Sequence, residues 1–228
     1  MTELYSSGEY LRNNPQWHQE HSSWKAEQIA HMLRKTSLHP RTLIEVGCGA
    51  GAVLEALHAK LSPQPECIGY EISPYAFAMA KSREVPGLHF CLGSPPTDRA
   101  SCDLLLAIDV FEHVDDYLGF LRSLQPLARW KIFHIPLDLS MVSLAKPLHL
   151  QMAREKVGHL HYFTRETALA SLEQAGFNVL DWFYTSVELD QGVSGRKRLQ
   201  GLRRFLFPLY PDLVVRWLGG FSLLVLAS

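Results

Sequence analysis

Residues 41–61 read RTLIEVGCGAGAVLEALHAKL, in which a short apolar run meets a glycine-rich turn and continues with helical spacing. The pattern predicts a strand over Arg41–Gly47 and a helix over Ala52–Leu61. Glycines at positions 47, 49 and 51 permit a tight turn and let backbone N–H groups approach a ligand closely. The N-terminus of the following helix favours polar or anionic groups at the same place. This stretch therefore predicts a ligand-binding strand–loop–helix unit.

Apolar runs of strand length and stretches with helical spacing alternate on both sides of this unit. We predict further strands at Glu66–Ile72, Leu88–Leu92, Cys102–Val110, Trp130–Pro136, Phe177–Ser186 and Phe221–Ala227. We predict helices at Ser22–Lys35 and Ser73–Arg83, after the capping residues Asp116 and Thr164, before Pro208, and over Pro211–Leu218. Strands that alternate with helices imply βαβ units. The chain is therefore predicted to be a doubly wound α/β fold with a mainly parallel sheet and helices on both of its faces.

Composition restricts the class of protein. Of the 228 residues, 47% are hydrophobic, which is enough for a large core without disulfides or metal ions. The 22 Lys and Arg residues nearly balance the 23 Asp and Glu residues, which argues against a protein that coats nucleic acid. The four cysteines lack CxxC spacing, the N-terminus lacks a signal-peptide pattern, and no apolar run reaches the ~18 residues of a membrane span. We therefore expect a cytoplasmic protein that binds no nucleic acid.

Two ligand classes fit the glycine loop. Gly47, Gly49 and Ala52 satisfy the GxGxx(G/A) pattern of dinucleotide-binding proteins. Glu71, about 20 residues further on, can bind ribose hydroxyls in either class. Glu45 is more informative, because a carboxylate two residues before the first glycine needs donors when it is buried. A cationic amino group would satisfy this carboxylate, whereas the pyrophosphate of a dinucleotide would be repelled.

Several segments resemble one enzyme family. Glu45–Gly51, with the pattern E-x-G-x-G-x-G, resembles motif I of the class I S-adenosylmethionine-dependent methyltransferases. Ala107–Val114 (AIDVFEHV), Gly158–Thr164 (GHLHYFT) and Ala175–Phe177 (AGF) resemble later segments of the same family. The resemblance covers about residues 41–186 and the final strand. It implies a Rossmann-like sheet of seven strands in the order 3-2-1-4-5-7-6, with strand 7 antiparallel, and S-adenosylmethionine as the cofactor.

The resemblance also implies a set of cofactor-binding residues at the carboxyl ends of the first four strands. They are Glu45, Gly47, Cys48, Gly49, Gly51, Glu71, Ile72, Ser94, Asp109, Val110 and Phe111. The chain departs from the family after strand 3, where an aspartate is common near the adenine and residues 93–96 read GSPP instead. We therefore expect Ser94 or the backbone to make the adenine contact.

Three histidines are candidates for the catalytic step, because the resemblance locates them near the carboxyl edge of the sheet. A hydroxyl acceptor benefits from a base with a pKa near neutral, which histidine provides. We rank His113 first as a base or orienting group, His161 second and His159 third; the alternative is that each orders a loop. Glu112 is expected to hold the loop. Because these histidines lack metal-ligand spacing to nearby Cys or Asp residues, no catalytic metal is expected.

The chain is predicted to form a single methyltransferase domain over residues 1–228. It would comprise an N-terminal helical cover (1–40), the core (41–186), a basic helical insertion (187–220) and the final strand (221–228). Aromatic residues of the cover would either close over the cofactor or simply pack: Tyr5, Tyr10, Trp17 and Trp24. Basic residues of the insertion form a cluster: Arg196, Lys197, Arg198, Arg203 and Arg204. This cluster, within 196–206, is either a solvated helix face, a membrane-surface contact or a site for an anionic acceptor.

These observations favour one functional hypothesis over two others. We expect S-adenosylmethionine-dependent methyl transfer to a small-molecule acceptor, which includes glycan and lipid precursors, at oxygen. An NAD(P)-dependent oxidoreductase is the enzyme alternative, against which Glu45 and the lack of an evident second catalytic domain argue. A methyltransferase-like binding protein without turnover is the other alternative. The sequence gives no signal that identifies the acceptor.

Overall fold

The computed structural model describes residues 19–96, 102–146, 148–191 and 197–228. Seven strands form one sheet in the order β3-β2-β1-β4-β5-β7-β6. All pairs among β1 to β5 are parallel, whereas β7 runs antiparallel to both β5 and β6. The strands are β1 (Thr42–Val46), β2 (Glu66–Glu71), β3 (Leu88–Leu92), β4 (Cys102–Ile108), β5 (Ala128–Pro136), β6 (Val179–Thr185) and β7 (Ser222–Ala227). The predicted fold class and strand order are confirmed.

Ten α-helices are present in the described parts of the chain. The helices that flank the core strands are α1 (Ser22–Lys35), α2 (Ala52–Lys60), α3 (Pro74–Lys81), α4 (Tyr117–Leu124) and α7 (Arg165–Gln174). Two short helices follow β5, α5 (Met141–Leu144) and α6 (His149–Met152), and a π-helical turn, Ala153–Val157, continues the second of them. Three more lie between β6 and β7: α8 (Val187–Gln191), α9 (Lys197–Leu206) and α10 (Pro211–Leu218). Arg196 and the aromatic residues Tyr5, Tyr10 and Trp17 lie outside the described residues.

The sheet is buried on both faces, as its nearly uninterrupted apolar strands require. Leu104, Leu105 and Leu106 of β4 are each 0% exposed. Leu105 belongs to one core cluster, and Leu104 and Leu106 belong to the other, because successive side chains of a strand point to opposite faces. Burial of each leucine contributes about 1.5–3 kcal/mol to folding.

The strand boundaries differ from the predicted ones where tertiary contacts intervene. β4 ends at Ile108, two residues earlier than predicted, because Asp109 adopts a left-handed backbone conformation with φ 54°. Its N–H donates to the carbonyl of His134 at 3.0 Å, which fixes the chain at that turn. β6 covers Val179–Thr185, shorter than predicted, and α5, α6 and α8 are helices that the sequence pattern did not predict.

This topology brings β1, β4 and β5 side by side with their carboxyl ends together. The strand order reverses between β1 and β4, and this is the point at which open α/β sheets bind their ligands. Helix α1 packs against α2 and reaches β7, and α10 packs against α5. The two groups of helices therefore flank the carboxyl edge of the central strands. In the described part of the chain, no helix has the length and hydropathy needed to cross a membrane.

Candidate functional site

The glycine loop is held by backbone hydrogen bonds to the end of β2. The N–H groups of Gly47 and Cys48 donate to the carbonyl of Tyr70 at 2.8 and 3.0 Å. Gly47 has φ 74°, and a Cβ there would lie 2.8 Å from Cγ2 of Val110. The loop therefore needs glycine at 47 for both its backbone conformation and its close approach to the loop after β4.

Glu71 anchors the same loop with its side chain. Its two carboxylate oxygens accept hydrogen bonds from the N–H groups of Gly49 at 2.8 Å and Ser73 at 2.7 Å. Burial raises the pKa of Glu71, and these backbone donors oppose that effect. The carboxylate thus ties the glycine loop to the start of α3, in addition to any contact with a ligand.

Glu45 is buried beneath the loop, with 2% of its surface exposed. Burial raises the pKa of its carboxyl to about 8; Lys25 opposes this rise and Glu71 adds to it. Its Oε2 atom has no hydrogen-bond partner within the part of the chain that the structure describes. A buried carboxylate in this condition is costly unless a donor or cation reaches it. The position therefore suits the cationic amino group of an amino-acid-like ligand.

A cavity of about 890 Å³ opens at the carboxyl ends of β1, β4 and β5. Glu45 and the glycine loop line one side, and the helices between β6 and β7 line another. Trp24 of α1 also lines it, and its Nε1–H donates to Asp190 of α8 at 2.7 Å. Helices α1 and α8 thus meet at the cavity, beside the glycine loop.

A chain of buried and half-buried polar groups crosses the floor of this cavity. One carboxylate oxygen of Asp109 lies 2.6 Å from Nζ of Lys25, and the other lies 2.6 Å from Nδ1 of His134. Nε2 of His134 lies 2.9 Å from the hydroxyl of Thr185. Burial alone would raise the pKa of Asp109, but His134 and Lys25 outweigh burial and hold the pKa well below its usual range. Asp109 is therefore an anion that joins α1, β5 and β6.

A second polar group gathers around Glu112 on the same cavity wall. Glu112 is 0% exposed, and burial together with the charge of Asp109 raises its pKa well above the usual value. His113 follows it, with Nε2 3.9 Å from a carboxylate oxygen of Glu112 and Nδ1 3.0 Å from the carbonyl oxygen of Gly158. The rings of His113 and His159 contact edge to face with centroids 4.9 Å apart. The backbone carbonyl of Glu112 also accepts hydrogen bonds from the N–H groups of residues 160 and 161, and these bonds fix the loop.

Not all of the predicted site residues reach the cavity. Those that line it are Glu45, Gly47, Cys48, Gly49, Asp109, His113 and His159. His161 does not line it; its Nε2 lies 2.9 Å from the carbonyl oxygen of Val114, so the ring orders the loop. Phe111 is fully buried in an aromatic cluster with Phe133 and Phe163 and supports the loop from below.

The remaining predicted cofactor residues lie beside the cavity. Glu71 contacts the loop as described, and Val110 covers Gly47. Ile72 and Ser94 are exposed beyond the ends of the neighbouring strands β2 and β3. A Cβ at Gly51 would lie 2.7 Å from the ring of Phe90, which explains the absence of a side chain at that position.

Sequence reasoning missed several polar residues of the site. Lys25, His134, Asp138 and Thr185 all line the cavity or its floor, yet the sequence analysis did not single them out. A weak signal existed for His134, a polar residue between two apolar residues near the carboxyl end of β5. Lys25 had none, because its distance from Asp109 depends on how α1 packs.

Arg203 and Arg204, the two arginines of the basic cluster whose side chains the structure describes, differ in exposure. Arg203 is 3% exposed and lines the cavity, where it pairs with Glu188 and donates to the carbonyl of Leu218 at 2.8 Å. A Cβ at Gly220 would lie 2.7 Å from Cζ of Arg203, so the glycine makes room for the guanidinium. Arg204 is exposed. The interpretation of a uniformly solvated basic face is therefore wrong for Arg203, whose charge holds the insertion together.

Comparisons with known proteins agree with this geometry. A family profile described as "Methyltransferase domain" matches residues 10–181. A search of curated proteins finds no match. One similar solved structure is the complex between the Trm112 methyltransferase activator and a methyltransferase of Haloferax volcanii (TM-score 0.67, 15% identity, 97% of this chain and 94% of that chain).

Two further structures have the same fold. A methyltransferase from Thermotoga maritima has a TM-score of 0.62 and 15% identity and covers 96% of both chains. Magnesium protoporphyrin IX methyltransferase from Synechocystis, with bound S-adenosylhomocysteine, has a TM-score of 0.59 and 15% identity over 90% of this chain and 82% of that chain. The family profile covers most of the chain, and the buried carboxylate of Glu45 under a glycine loop fits a cationic cofactor. The chain therefore belongs to the methyltransferase domain family and is a class I S-adenosylmethionine-dependent methyltransferase.

Proposed function

We propose that this enzyme methylates a hydroxyl oxygen of a small-molecule acceptor, a class that includes glycan and lipid precursors. The observation that carries the proposal is the pair formed by His159 and Asp138 on the cavity wall. Nδ1 of His159 lies 2.6 Å from Oδ2 of Asp138, and both residues line the same cavity as the glycine loop. An imidazole held by a carboxylate is an arrangement that suits proton removal from a hydroxyl.

Different residues of the cavity would bind the cofactor and the acceptor. When bound, S-adenosylmethionine would supply an electrophilic methyl group on a positively charged sulfur, which leaves as a neutral thioether with the electron pair of the carbon–sulfur bond. Glu45 and the glycine loop would hold the amino-acid end of the cofactor. His113 and His159 would orient the acceptor hydroxyl and remove its proton. Alignment of the reacting groups would supply much of the rate enhancement.

For the cofactor-binding residues other than Glu45 and the glycine loop, the proposal rests on their position at the ends of the strands. Glu71, Ile72 and Ser94 lie at or beyond the ends of β2 and β3, the side of the sheet expected to hold the ribose and adenine. Val110 and Phe111 would support the cofactor through the loop after β4. His161 contributes in this scheme only by ordering its loop.

A transfer assay tests the proposal. Purified protein is incubated with cofactor carrying a labelled methyl group and an extract of small metabolites, and labelled products are identified by mass spectrometry. A label attached to oxygen is expected, and His159→Gln should lower the turnover at least tenfold while cofactor binding persists. A label on nitrogen or carbon would overturn the proposed acceptor chemistry. Cofactor binding without any transfer would favour the binding-protein alternative, and NAD binding would favour the oxidoreductase.

The outer surface of the insertion suggests where the acceptor is presented. Large apolar side chains remain exposed on α9, α10 and the turn between them: Leu202, Phe205, Leu209, Leu213 and Trp217. Phe205 is 72% exposed, so the described residues leave most of its side chain uncovered. Exposed arginines accompany these side chains. We propose that this surface contacts an anionic membrane, so that the acceptor is drawn from a lipid-linked precursor; the alternative is a soluble anionic acceptor that binds near 196–206.

Vesicle sedimentation tests this second proposal. The protein should sediment with vesicles that contain phosphatidylglycerol, and the double variant Phe205→Ser, Trp217→Ser should sediment several-fold less. Leu180→Ser, which removes an exposed leucine from β6, is the matched control and should behave like the native protein. Equal sedimentation of all three proteins, or none by the native protein, would contradict membrane contact and favour a soluble acceptor.

The four free cysteines agree with a cytoplasmic location, which we also propose.

A further inference from the structure

Three side chains with metal-binding atoms meet on the cavity wall. Glu112, His113 and His159 each offer one ligand atom, and these atoms all lie within 4.8 Å of one another. Two of the residues follow β4, whereas His159 precedes α7, so the group forms only when the two segments come together. This explains why the spacing of the sequence gave no metal signal.

The tautomers of both imidazoles can be assigned from their partners. Nδ1 of His113 lies 3.0 Å from the backbone carbonyl oxygen of Gly158, which can only accept. Nδ1 of His159 lies 2.6 Å from the carboxylate of Asp138. Each ring therefore donates from Nδ1, and in the neutral ring Nε2 carries the lone pair. Metal-binding histidines show this arrangement, because an outer carboxylate or carbonyl fixes the ring and its tautomer.

The carboxylate of Glu112 supplies the independent observation. Its side chain is 0% exposed, and neither oxygen has a hydrogen-bond partner among residues 19–96, 102–146, 148–191 and 197–228. A carboxyl group buried without hydrogen-bond partners is strongly disfavoured unless a ligand satisfies its oxygens. Glu112 nevertheless lines the cavity, where a ligand can reach it. A cation at this point would give both oxygens a partner.

We propose that Glu112, His113 and His159 bind a divalent transition-metal ion. Two imidazole nitrogens and one carboxylate oxygen favour Zn²⁺, Fe²⁺, Co²⁺ or Mn²⁺ over Mg²⁺ and Ca²⁺, which prefer oxygen ligands. Ligands about 2.1 Å from a shared tetrahedral ion would lie about 3.4 Å apart, so atoms within 4.8 Å of one another need to approach by up to about 1.4 Å when the ion binds.

The remaining coordination positions would face the cavity. The following role of the ion rests on the proposed function. The ion would bind the acceptor hydroxyl and lower the pKa of that hydroxyl. The two histidines would then act as metal ligands instead of bases. The hydroxyl proton would pass to solvent, the oxygen would bond to the methyl carbon, and the electron pair of the carbon–sulfur bond would go to sulfur. Binding of the ion itself does not depend on which acceptor is used.

The test measures metal binding without cofactor or acceptor. Full-length protein without an affinity tag is stripped with a chelator, dialysed, and titrated with Zn²⁺ in competition with a chromophoric chelator. Co²⁺ is added in a parallel experiment, and its visible absorption reports ligation by nitrogen and oxygen. One equivalent of Zn²⁺ is expected to bind and to raise the Tm of the native protein.

Variants locate the site. Glu112→Gln and His159→Gln should each weaken Zn²⁺ binding at least 100-fold, and Asp138→Asn, which touches only the outer partner of His159, by about 10–100-fold. His89→Gln removes an exposed imidazole from β3 and should change nothing. If Glu112→Gln does not fold, Asp138→Asn carries the same comparison.

The outcomes separate this proposal from the proposed function. Absence of saturable Zn²⁺ binding, or binding unchanged by Glu112→Gln, His159→Gln and Asp138→Asn, would overturn the metal site. Either result leaves O-methylation by a metal-free base intact. Conversely, if the native protein binds one equivalent of Zn²⁺ and these variants do not, the result supports the metal site even if the acceptor proves not to be a hydroxyl.

Discussion

The imidazole of His134 and the carboxylate of Asp109 form a direct contact between β5 and the turn after β4, with Nδ1 2.6 Å from Oδ1. Because the carboxylate accepts, Nδ1 of His134 donates, and in the neutral ring Nε2 accepts from the hydroxyl of Thr185. Asp109 thus positions His134, and His134 in turn orders the end of β6. The contact couples the turn after β4 to the end of β6 across the floor of the cavity.

We first predict the effect of removing the hydroxyl at the end of this chain. Thr185→Val keeps the shape of the buried side chain but leaves Nε2 of His134 without its partner, so the free energy of unfolding should fall by about 1–3 kcal/mol. Urea denaturation measures the change. Ser82→Ala, which removes an exposed hydroxyl, should alter stability by less than about 0.5 kcal/mol. Equal stability of Thr185→Val and native protein would show that the contact contributes nothing.

The raised pKa of Glu45, about 8, predicts how cofactor affinity depends on pH. Lys25 and Glu71 face this carboxyl, as do the thiols of Cys48 and Cys67. In the free protein the group is largely protonated below pH 8, whereas a cationic amino group requires the ionised form. Binding therefore releases a proton, and the association constant should rise from pH 6 to pH 8 by up to about tenfold per pH unit.

Calorimetry in buffers with different ionisation enthalpies measures that proton release. Glu45→Gln should bind S-adenosylmethionine more weakly at pH 8 and lose the pH dependence. Glu66→Gln, an exposed position on β2, should retain the native profile. A native affinity that is constant between pH 6 and pH 8 would mean that Glu45 does not meet the amino group.

Two glycine substitutions with opposite expected effects test the loop. Gly47→Ala places a Cβ 2.8 Å from Val110 at φ 74°, so stability should fall by about 1–3 kcal/mol and cofactor affinity at least tenfold. At Gly201 in α9, no described atom lies within 4 Å of the added Cβ, and alanine should raise stability by about 0.5–1 kcal/mol. Thermal unfolding and cofactor titration measure both. A Gly47→Ala protein with native cofactor affinity would refute the role of the loop.

Neighbouring arginines should respond differently to the same substitution. Arg203→Met leaves Glu188 without its buried partner, so the free energy of unfolding should fall by roughly 3 kcal/mol, and the KM for the acceptor should rise. Arg204→Met alters an exposed side chain and should stay within about 0.5 kcal/mol of the native value. Denaturation curves and acceptor titrations provide the comparison. Similar losses of unfolding free energy in both variants would mean that the ion pair of the buried Arg203 with Glu188 does not contribute to stability.

The parts of the site that sequence predicted are those that depend on local pattern. Glu45 and the glycine loop are adjacent in the chain, and alternating apolar runs located the strands around them. Strand order came from the resemblance of short motifs, because periodicity carries no information on which strands pair. Phe111 and His161 fall within such motifs, yet packing directs their side chains away from the cavity.

The parts that sequence did not predict depend on contacts between distant segments. Lys25 reaches Asp109 only because α1 packs across the edge of the sheet. His159 approaches Glu112 only because the loop before α7 bonds to the Glu112 carbonyl. The sequence showed Arg203 as one charge of a basic cluster, whereas the direction of its side chain depends on Glu188 and on the space that Gly220 leaves.

The position of β7 has a consequence for synthesis of the protein on the ribosome. β7 follows every other strand in the chain but lies between β5 and β6, where Lys131 pairs with Ala227. Until β7 has emerged, β5 has an open edge and β6 has no strand beside it. The first five strands can already associate at that stage through their parallel pairs. In a nascent chain, the cavity wall around Glu45 and Asp109 could form first, and the wall around Glu188 and Arg203 would be completed only when β7 closes the sheet.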